Sequence, residues 1–94
     1  MENRLAALPK AVRITIDSDV DHYPKQTLID IGEDAVKLRA YAQSIDAVSN
    51  IYSKVIHGDT SSLVAAGISR KYSGRELIKL CNYAFMVSVP TLED

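Results

Sequence analysis

The chain has 94 residues, of which 47% are hydrophobic and 24% are charged, and its formal net charge is −1 at pH 7. This composition is too apolar for an intrinsically disordered chain, and no stretch reaches the roughly 20 apolar residues that a membrane-spanning helix needs. The balance of charges argues against a protein whose whole surface binds nucleic acid, so we expect one small soluble domain over residues 1–94.

The N-terminal part of the sequence predicts a flexible arm followed by a short strand. The arm covers residues 1–10 and ends near Pro9. Residues 12–16, Val-Arg-Ile-Thr-Ile, alternate apolar and polar side chains and are rich in β-branched residues, which is typical of a strand with one buried face. Turn-forming residues at 17–24 interrupt this pattern.

Two interpretations fit the next segment. In the first, Pro24 stands in the first turn of a helix that continues to residue 56. In the second, residues 27–31 form a second strand that completes a hairpin, and the helix begins near Glu33, where Asp30 and Glu33 resemble a capping box. Gly32 weakens the continuous helix by about 1 kcal/mol relative to alanine. We favour the continuous helix, with a break near Gly32 left open.

From residue 33 to residue 56 the apolar residues recur every three or four positions, which predicts one long amphipathic helix. Its 24 residues would extend about 36 Å, more than the ~26 Å diameter expected for a domain of this size. Two shorter helices could not cover the whole apolar stripe, so we expect a homodimer or a higher oligomer. The predicted oligomer interface consists of Leu38, Tyr41, Ile45, Val48 and Tyr52.

The C-terminal third predicts two shorter helices. Gly58 ends the long helix by taking a left-handed conformation, and a short helix at residues 61–66 is closed by Gly67. Ser73 and Glu76 form a capping box for a last helix at residues 74 to about 87, after which residues 90–94 form a frayed tail. The predicted fold is therefore mostly α, with a short N-terminal strand.

The sequence contains no recognisable catalytic, metal or cofactor motif. The acidic run at residues 17–21 resembles the start of a calcium loop, but His22 and Leu28 stand where that loop needs glycine and glutamate. The lone Cys81 lies on an apolar helix face and predicts a buried thiol in a reducing compartment. The N-terminus is too polar for a secretory signal. We therefore expect a non-enzymatic, cytoplasmic protein without a membrane partner, and a phage or other viral source is equally compatible.

The charges are unevenly distributed along the chain. Residues 17–34 carry six acids against one base, whereas residues 70–79 carry four bases against one acid. The favoured hypothesis is a homo-oligomeric regulatory or assembly module, such as an accessory protein, that binds another protein through its apolar stripe and tyrosines. An acidic partner surface would then meet the basic cluster.

The alternative hypothesis is a dimeric DNA-binding transcriptional regulator. A strand followed by helices is the outline of a ribbon-helix-helix dimer, whose strand would present Arg13 and Thr15 to the major groove. Residues 61–68 and the last helix also resemble a helix-turn-helix, although their connector is long. The possible contacts to nucleic acid or to an acidic partner are Arg13, Thr15, Arg70, Lys71, Arg75 and Lys79.

Overall fold

The computed structural model describes residues 3–87, which fold into a compact arrangement of helices. The predicted tail at residues 90–94 lies outside the described residues. The mostly helical prediction is confirmed, and residues 3–87 contain no strand. None of the helices in this range combines the length and the apolar character needed to cross a membrane. The helices are α1 (Asn3–Ala6), α2 (Lys10–Asp19), α3 (Lys25–Ala42), α4 (Ile45–Ile56), α5 (Ser61–Ala65) and α6 (Gly74–Met86).

The N-terminal strand prediction is wrong, because residues 12–16 lie within α2. Leu8, Val12 and Ile16 are all buried, and their spacing of four residues places them on one side of the chain facing α3. Ile14, which a strand would have buried with them, is 56% exposed. Within the predicted arm, Asn3–Ala6 form α1, and Leu8 joins the core.

Helix α3 begins immediately after Pro24, so the start that we favoured is confirmed and the hairpin at residues 27–31 is wrong. Gly32 does not break this helix. It instead allows α2 to pack closely, because a Cβ atom at Gly32 would lie 2.9 Å from Leu8 Cδ1 and 3.2 Å from Val12 Cγ1. The glycine therefore serves helix packing and not helix termination.

The prediction of a single long helix at residues 33–56 is wrong, because α3 ends at Ala42 and α4 begins at Ile45. Gln43 takes the left-handed conformation with φ of 63° and donates its backbone N–H to Arg39 O, which ends α3. Ser44 then caps α4 by accepting a 3.0 Å hydrogen bond from the Ala47 N–H. The break lets both halves of the stripe cover one core, which removes the length argument for an oligomer.

The core lies mainly between α3 and α6, and α4 closes it on one side. The C-terminal helices agree closely with prediction: α5 ends at Ala65, one residue early, and α6 ends at Met86. Gly58 and Gly67 both have positive φ, as expected for helix ends. The predicted capping box is confirmed, since the Ser73 N–H donates to Glu76 Oε1 and the Glu76 N–H donates to Ser73 Oγ.

Candidate functional site

An open groove of about 630 Å³ lies between α5, the connector at residues 66–73 and the first turns of α6. We call it the α5–α6 groove. Its lining combines apolar side chains with hydroxyl groups and two cations, and none of the ten described lining residues is acidic. The lining residues are Thr60, Leu63, Val64, Gly67, Ile68, Ser69, Arg70, Lys71, Tyr72 and Leu77.

The floor of the groove follows from the way α5 ends. Leu63 and Ile68 are buried in the core, and the Ile68 N–H donates to Leu63 O at 3.0 Å across the turn that Gly67 makes with φ of 90°. This turn leaves the neighbouring Val64 72% exposed, the most exposed of the large hydrophobic side chains in residues 3–87. An apolar side chain is thus presented to solvent within a concave surface.

The opposite wall of the groove is anchored to α3 by Asp34, whose side chain is only 1% exposed. Arg70 Nη1 donates to Asp34 Oδ1 at 2.9 Å, and the Tyr72 hydroxyl donates to Asp34 Oδ2. Burial, followed by the hydrogen bond to Asp34, raises the pKa of the Tyr72 hydroxyl well above its ordinary value. The hydroxyl therefore remains a protonated donor, and the two wall residues are held in place before any ligand binds.

The charge of Arg70 is compensated within the chain. Its guanidinium lies 3.3 Å from Glu33 Oε1 and 3.6 Å from Asp30 Oδ1, in addition to Asp34, and its hydrogen bond to Asp34 raises its pKa. Arg4 binds Asp30 and Glu33 at 2.6 Å from the other side, and its hydrogen bond lowers the pKa of Glu33.

Lys71 is the cation of the groove that remains uncompensated. It is exposed and forms no ion pair with any of residues 3–87. Together with the absence of acids from the described lining, it gives the rim of the groove a positive charge. An approaching anionic group would therefore be attracted to this rim.

The other residues proposed for nucleic-acid contact are dispersed. Arg13 is exposed on α2, and Thr15 donates its hydroxyl to Ala11 O at 2.9 Å within the same helix, so neither lies on a strand. Lys79 lies 3.2 Å from Asp19 Oδ2 and stacks over the rings of two tyrosines, while Arg75 is exposed on α6. The basic cluster predicted from sequence is therefore partly neutralised, and only Arg70 and Lys71 line the groove. The ribbon-helix-helix outline is wrong because the strand it requires is a helix.

The five residues of the predicted oligomer interface are also separated by the structure. Leu38 and Val48 are fully buried in the core of one chain, so they cannot contact a second copy. Tyr41 and Ile45 remain exposed, and Tyr52 is half-buried with its ring edge-to-face against Phe85 at 6.3 Å. An interface built on the predicted stripe could use only these last three.

The remaining candidates from the sequence are the lone cysteine and the acidic run at residues 17–21. Cys81 is fully buried as predicted, and burial raises the pKa of its thiol to about 11. Within residues 3–87, no three or more His, Cys, Asp and Glu side chains are grouped so that they could hold a metal ion. The acidic run at residues 17–21 spans the last turn of α2 and the turn after it.

Sequence reasoning missed the groove and the charge network behind it. One signal was available: Ile31, Asp34 and Leu38 are spaced by three and four residues, so Asp34 falls on the buried face of α3. A carboxylate on such a face needs a charged or hydrogen-bonding partner. No signal in the sequence identifies Arg70 and Tyr72 as those partners.

No family model matches the chain, and no curated protein or solved structure shows significant similarity to it.

Proposed function

We propose that the protein is a non-enzymatic binding module that holds an apolar segment with acidic flanks, belonging to another protein, in the α5–α6 groove. The observation that carries this proposal is Val64, which is 72% exposed inside a concave surface whose floor is apolar. Exposed apolar surface in a depression favours a binding role over a purely structural one.

The open shape of the groove favours a protein segment over a small molecule. Leu63 and Ile68 form a buried floor, whereas Val64 and Lys71 are exposed along the rim. Pockets for small molecules commonly bury about 70–90% of their ligand. A small ligand in this open groove would leave much of its surface in water, but a helix or an extended segment would cover the floor and the rim together.

The positive charge of the rim favours acidic residues at the flanks of that segment. Lys71 is uncompensated within residues 3–87, and no described lining residue would repel a carboxylate. A basic segment would meet the like charge of Lys71 there, while Asp or Glu beside the apolar anchors would pair with Lys71. The anchoring of Arg70 and Tyr72 by Asp34 reduces the cost of ordering this wall on binding.

Selection from a random peptide library displayed on phage tests the proposal. The target is the full chain, compared with the variants Val64→Glu and Ile14→Glu. Ile14 is an exposed control on α2, outside the groove lining. We expect the selected peptides to combine apolar residues with Asp or Glu. They should bind the wild type and I14E but should not bind V64E. A selection without enrichment, or enriched peptides that bind V64E equally well, would overturn the proposal.

Reversing the charge of the rim tests the acidic flanks separately. We expect Lys71→Glu to shift the selected peptides toward Lys and Arg, whereas the exposed control Lys10→Glu should leave the acidic preference unchanged. Peptides that remain acidic on K71E would refute the charge assignment. A salt-dependent mobility shift of duplex DNA that is lost on Arg75→Ala would support the DNA-binding hypothesis instead.

A further inference from the structure

A second, smaller cavity lies on the outer face of α6. It encloses about 300 Å³, and none of its described lining residues is acidic. The lining residues are Tyr23, Arg75, Ile78, Lys79 and Asn82. None of them lines the α5–α6 groove, so the two surfaces are separate. We call this second surface the α6 trough.

The exposed face of α6 continues from the trough to the C-terminal end of the helix. Arg75, Ile78, Asn82 and Met86 are exposed and lie within about 80° of one another around the helix axis, because they are spaced by three, four and four residues. Ile78 and Met86 leave apolar surface uncovered along this line, being 39% and 37% exposed. The line ends beside Val87, the last described residue.

The trough contains one cation whose charge is unpaired within residues 3–87. Arg75 is exposed and forms no ion pair with any of these residues. Lys79 is paired, since its Nζ lies 3.2 Å from Asp19 Oδ2 and 5.1 Å from the centroid of the Tyr23 ring. The trough thus offers an apolar strip that ends at an unpaired guanidinium.

We propose that the α6 trough binds the chain's own residues 88–94, whose sequence is Ser-Val-Pro-Thr-Leu-Glu-Asp. This segment follows α6 directly and complements the trough in both of its features. Leu92 supplies an apolar side chain for Ile78, and the two acids that follow it supply carboxylates for Arg75. The segment would then be ordered along α6, and not frayed as the sequence predicts for residues 90–94.

The length of the segment matches the distance that it must cover. At 1.5 Å per residue, Ile78 lies about 14 Å and Arg75 about 18 Å back along α6 from Val87. An extended chain covers about 3.3 Å per residue, so Leu92 reaches about 17 Å from Val87 and Glu93 about 20 Å. A segment that folds back antiparallel to α6 therefore brings each of these two side chains level with its partner in the trough.

The end of α6 and the sequence after it both suit an extended return. Arg39 Nε donates to Val87 O at 3.1 Å, which fixes the point from which the segment leaves the core. Val87 is itself extended, with φ of −80° and ψ of 118°. Pro90 cannot continue a helix, and it disfavours the helical region for Val89. An extended conformation is also what the reach to Arg75 requires.

The segment has the same chemistry as the ligand proposed for the α5–α6 groove, but its position favours the trough. Met86 lies on the face of α6 that leads to the trough, whereas Leu77, through which α6 lines the groove, lies about 180° away around the helix. A short flexible connection gives an effective concentration of about 1 mM or more. This favours the chain's own segment over that of a second copy.

A spin label on the segment tests this binding in the full chain. Thr91→Cys keeps the leucine and both acids that follow, and the buried Cys81 thiol is protected from labelling. The attached nitroxide broadens the signals of nearby amides in ¹H–¹⁵N spectra. We expect the largest loss of intensity at residues 75–82 and at Tyr23, with smaller losses at residues 60–71. An even loss across all helices, or a largest loss at residues 60–71, would overturn the proposal.

An exchange of charges tests the contact with Arg75. We expect Arg75→Glu to abolish the localised loss of intensity, and the further substitutions Glu93→Lys and Asp94→Lys to restore it. Arg75 lies in the first turn of α6, where an acid is favourable, so R75E should keep the far-UV circular dichroism of the wild type. The control Lys71→Glu, on the rim of the groove, should leave the pattern unchanged. A pattern that persists in R75E, or that the exchange does not restore, would refute the contact.

A mixed sample identifies which chain provides the segment. Protein that carries ¹⁵N but no nitroxide is combined with protein that carries the nitroxide but no ¹⁵N. We expect no loss of intensity at residues 75–82 in this sample, because each segment binds its own chain. A loss there would assign the trough to the segment of a second copy and would contradict the proposal.

Discussion

Replacing Tyr72 by phenylalanine removes one hydroxyl from the wall of the groove and leaves the ring in place. That hydroxyl donates to Oδ2 of Asp34, which is 1% exposed and has little access to replacement water. A hydrogen bond to a charged group contributes about 1.5–3 kcal/mol, and an unsatisfied buried acceptor costs about 1–3 kcal/mol. Arg70 still donates to the other oxygen of Asp34, so the loss is partial. We expect Y72F to lower the free energy of unfolding by about 2 kcal/mol.

Urea denaturation followed by circular dichroism at 222 nm measures this change. Tyr41→Phe is the matched control, because Tyr41 is exposed and its variant should stay within about 0.5 kcal/mol of the wild type. A double-mutant cycle that combines Y72F with Asp34→Asn should return a coupling energy of about 1–2 kcal/mol. If Y72F changes the unfolding free energy no more than Y41F does, Asp34 does not anchor the wall in the way described.

Three further predictions concern packing, the thiol and the charge network. Gly32→Ala gains about 1 kcal/mol of helix propensity but forces a Cβ atom against Leu8 and Val12. Urea denaturation should therefore show that the free energy of unfolding falls by up to about 2 kcal/mol. The control Gly74→Ala, whose Cβ atom meets nothing within 4 Å, should not destabilise the protein. Because Cys81 is buried and its thiol pKa is about 11, the native protein should react with Ellman's reagent at least about 100-fold more slowly than the urea-unfolded chain, and equal rates would contradict its burial. Arg4 lowers the pKa of Glu33 below its ordinary value of 4.5, so this contribution to stability is present above that pH and is lost as the pH falls through the folded-state pKa. Arg4→Ala should therefore shift the urea midpoint more at about pH 7 than at about pH 3, and an equal shift at both would refute the assignment.

Local signals were sufficient for the C-terminal helices. Ser73 and Glu76 specify the start of α6 by reciprocal hydrogen bonds within one turn, and Gly58 and Gly67 mark helix ends by their tolerance of positive φ. Each of these features depends on residues within a few positions of one another. They could therefore be predicted without knowledge of the remaining chain.

The N-terminal helix could not be predicted in this way, because residues 12–16 satisfy two patterns at once. Their alternation indicates a strand, while the spacing of Leu8, Val12 and Ile16 indicates a helix face. The choice is made by packing against α3, where Gly32 provides the room that α2 needs. That contact joins residues far apart in the sequence.

The break between α3 and α4 was hidden by the continuity of the apolar pattern. Both helices face the same core, so the spacing of three and four residues persists across the turn. Ser44 was a usable signal, since it caps α4 and Asp46 follows in the first turn. Gln43 gave no such signal, because a non-glycine residue in the left-handed region is uncommon.

The candidate site was predictable only in part. The basic residues at 70–79 were identified from sequence, but their partners were not, because Arg70 pairs with acids 36 to 40 positions earlier in the chain. The segregation of acids and bases therefore reflects contacts within the chain to a large extent. The charge of Lys71 and the exposure of Val64 became meaningful only once the groove was formed around them.

The central claim, that the α5–α6 groove is the binding surface, is tested most directly by mapping where a selected peptide binds. The measurement is a titration of ¹⁵N-labelled protein with an unlabelled peptide from the library selection, followed in two-dimensional ¹H–¹⁵N spectra. We predict that the amide shifts that change with peptide concentration cluster at residues 60–77, and that Val64→Glu abolishes these changes. Shifts that cluster on α2 or on α4, with residues 60–77 unchanged, would contradict the claim.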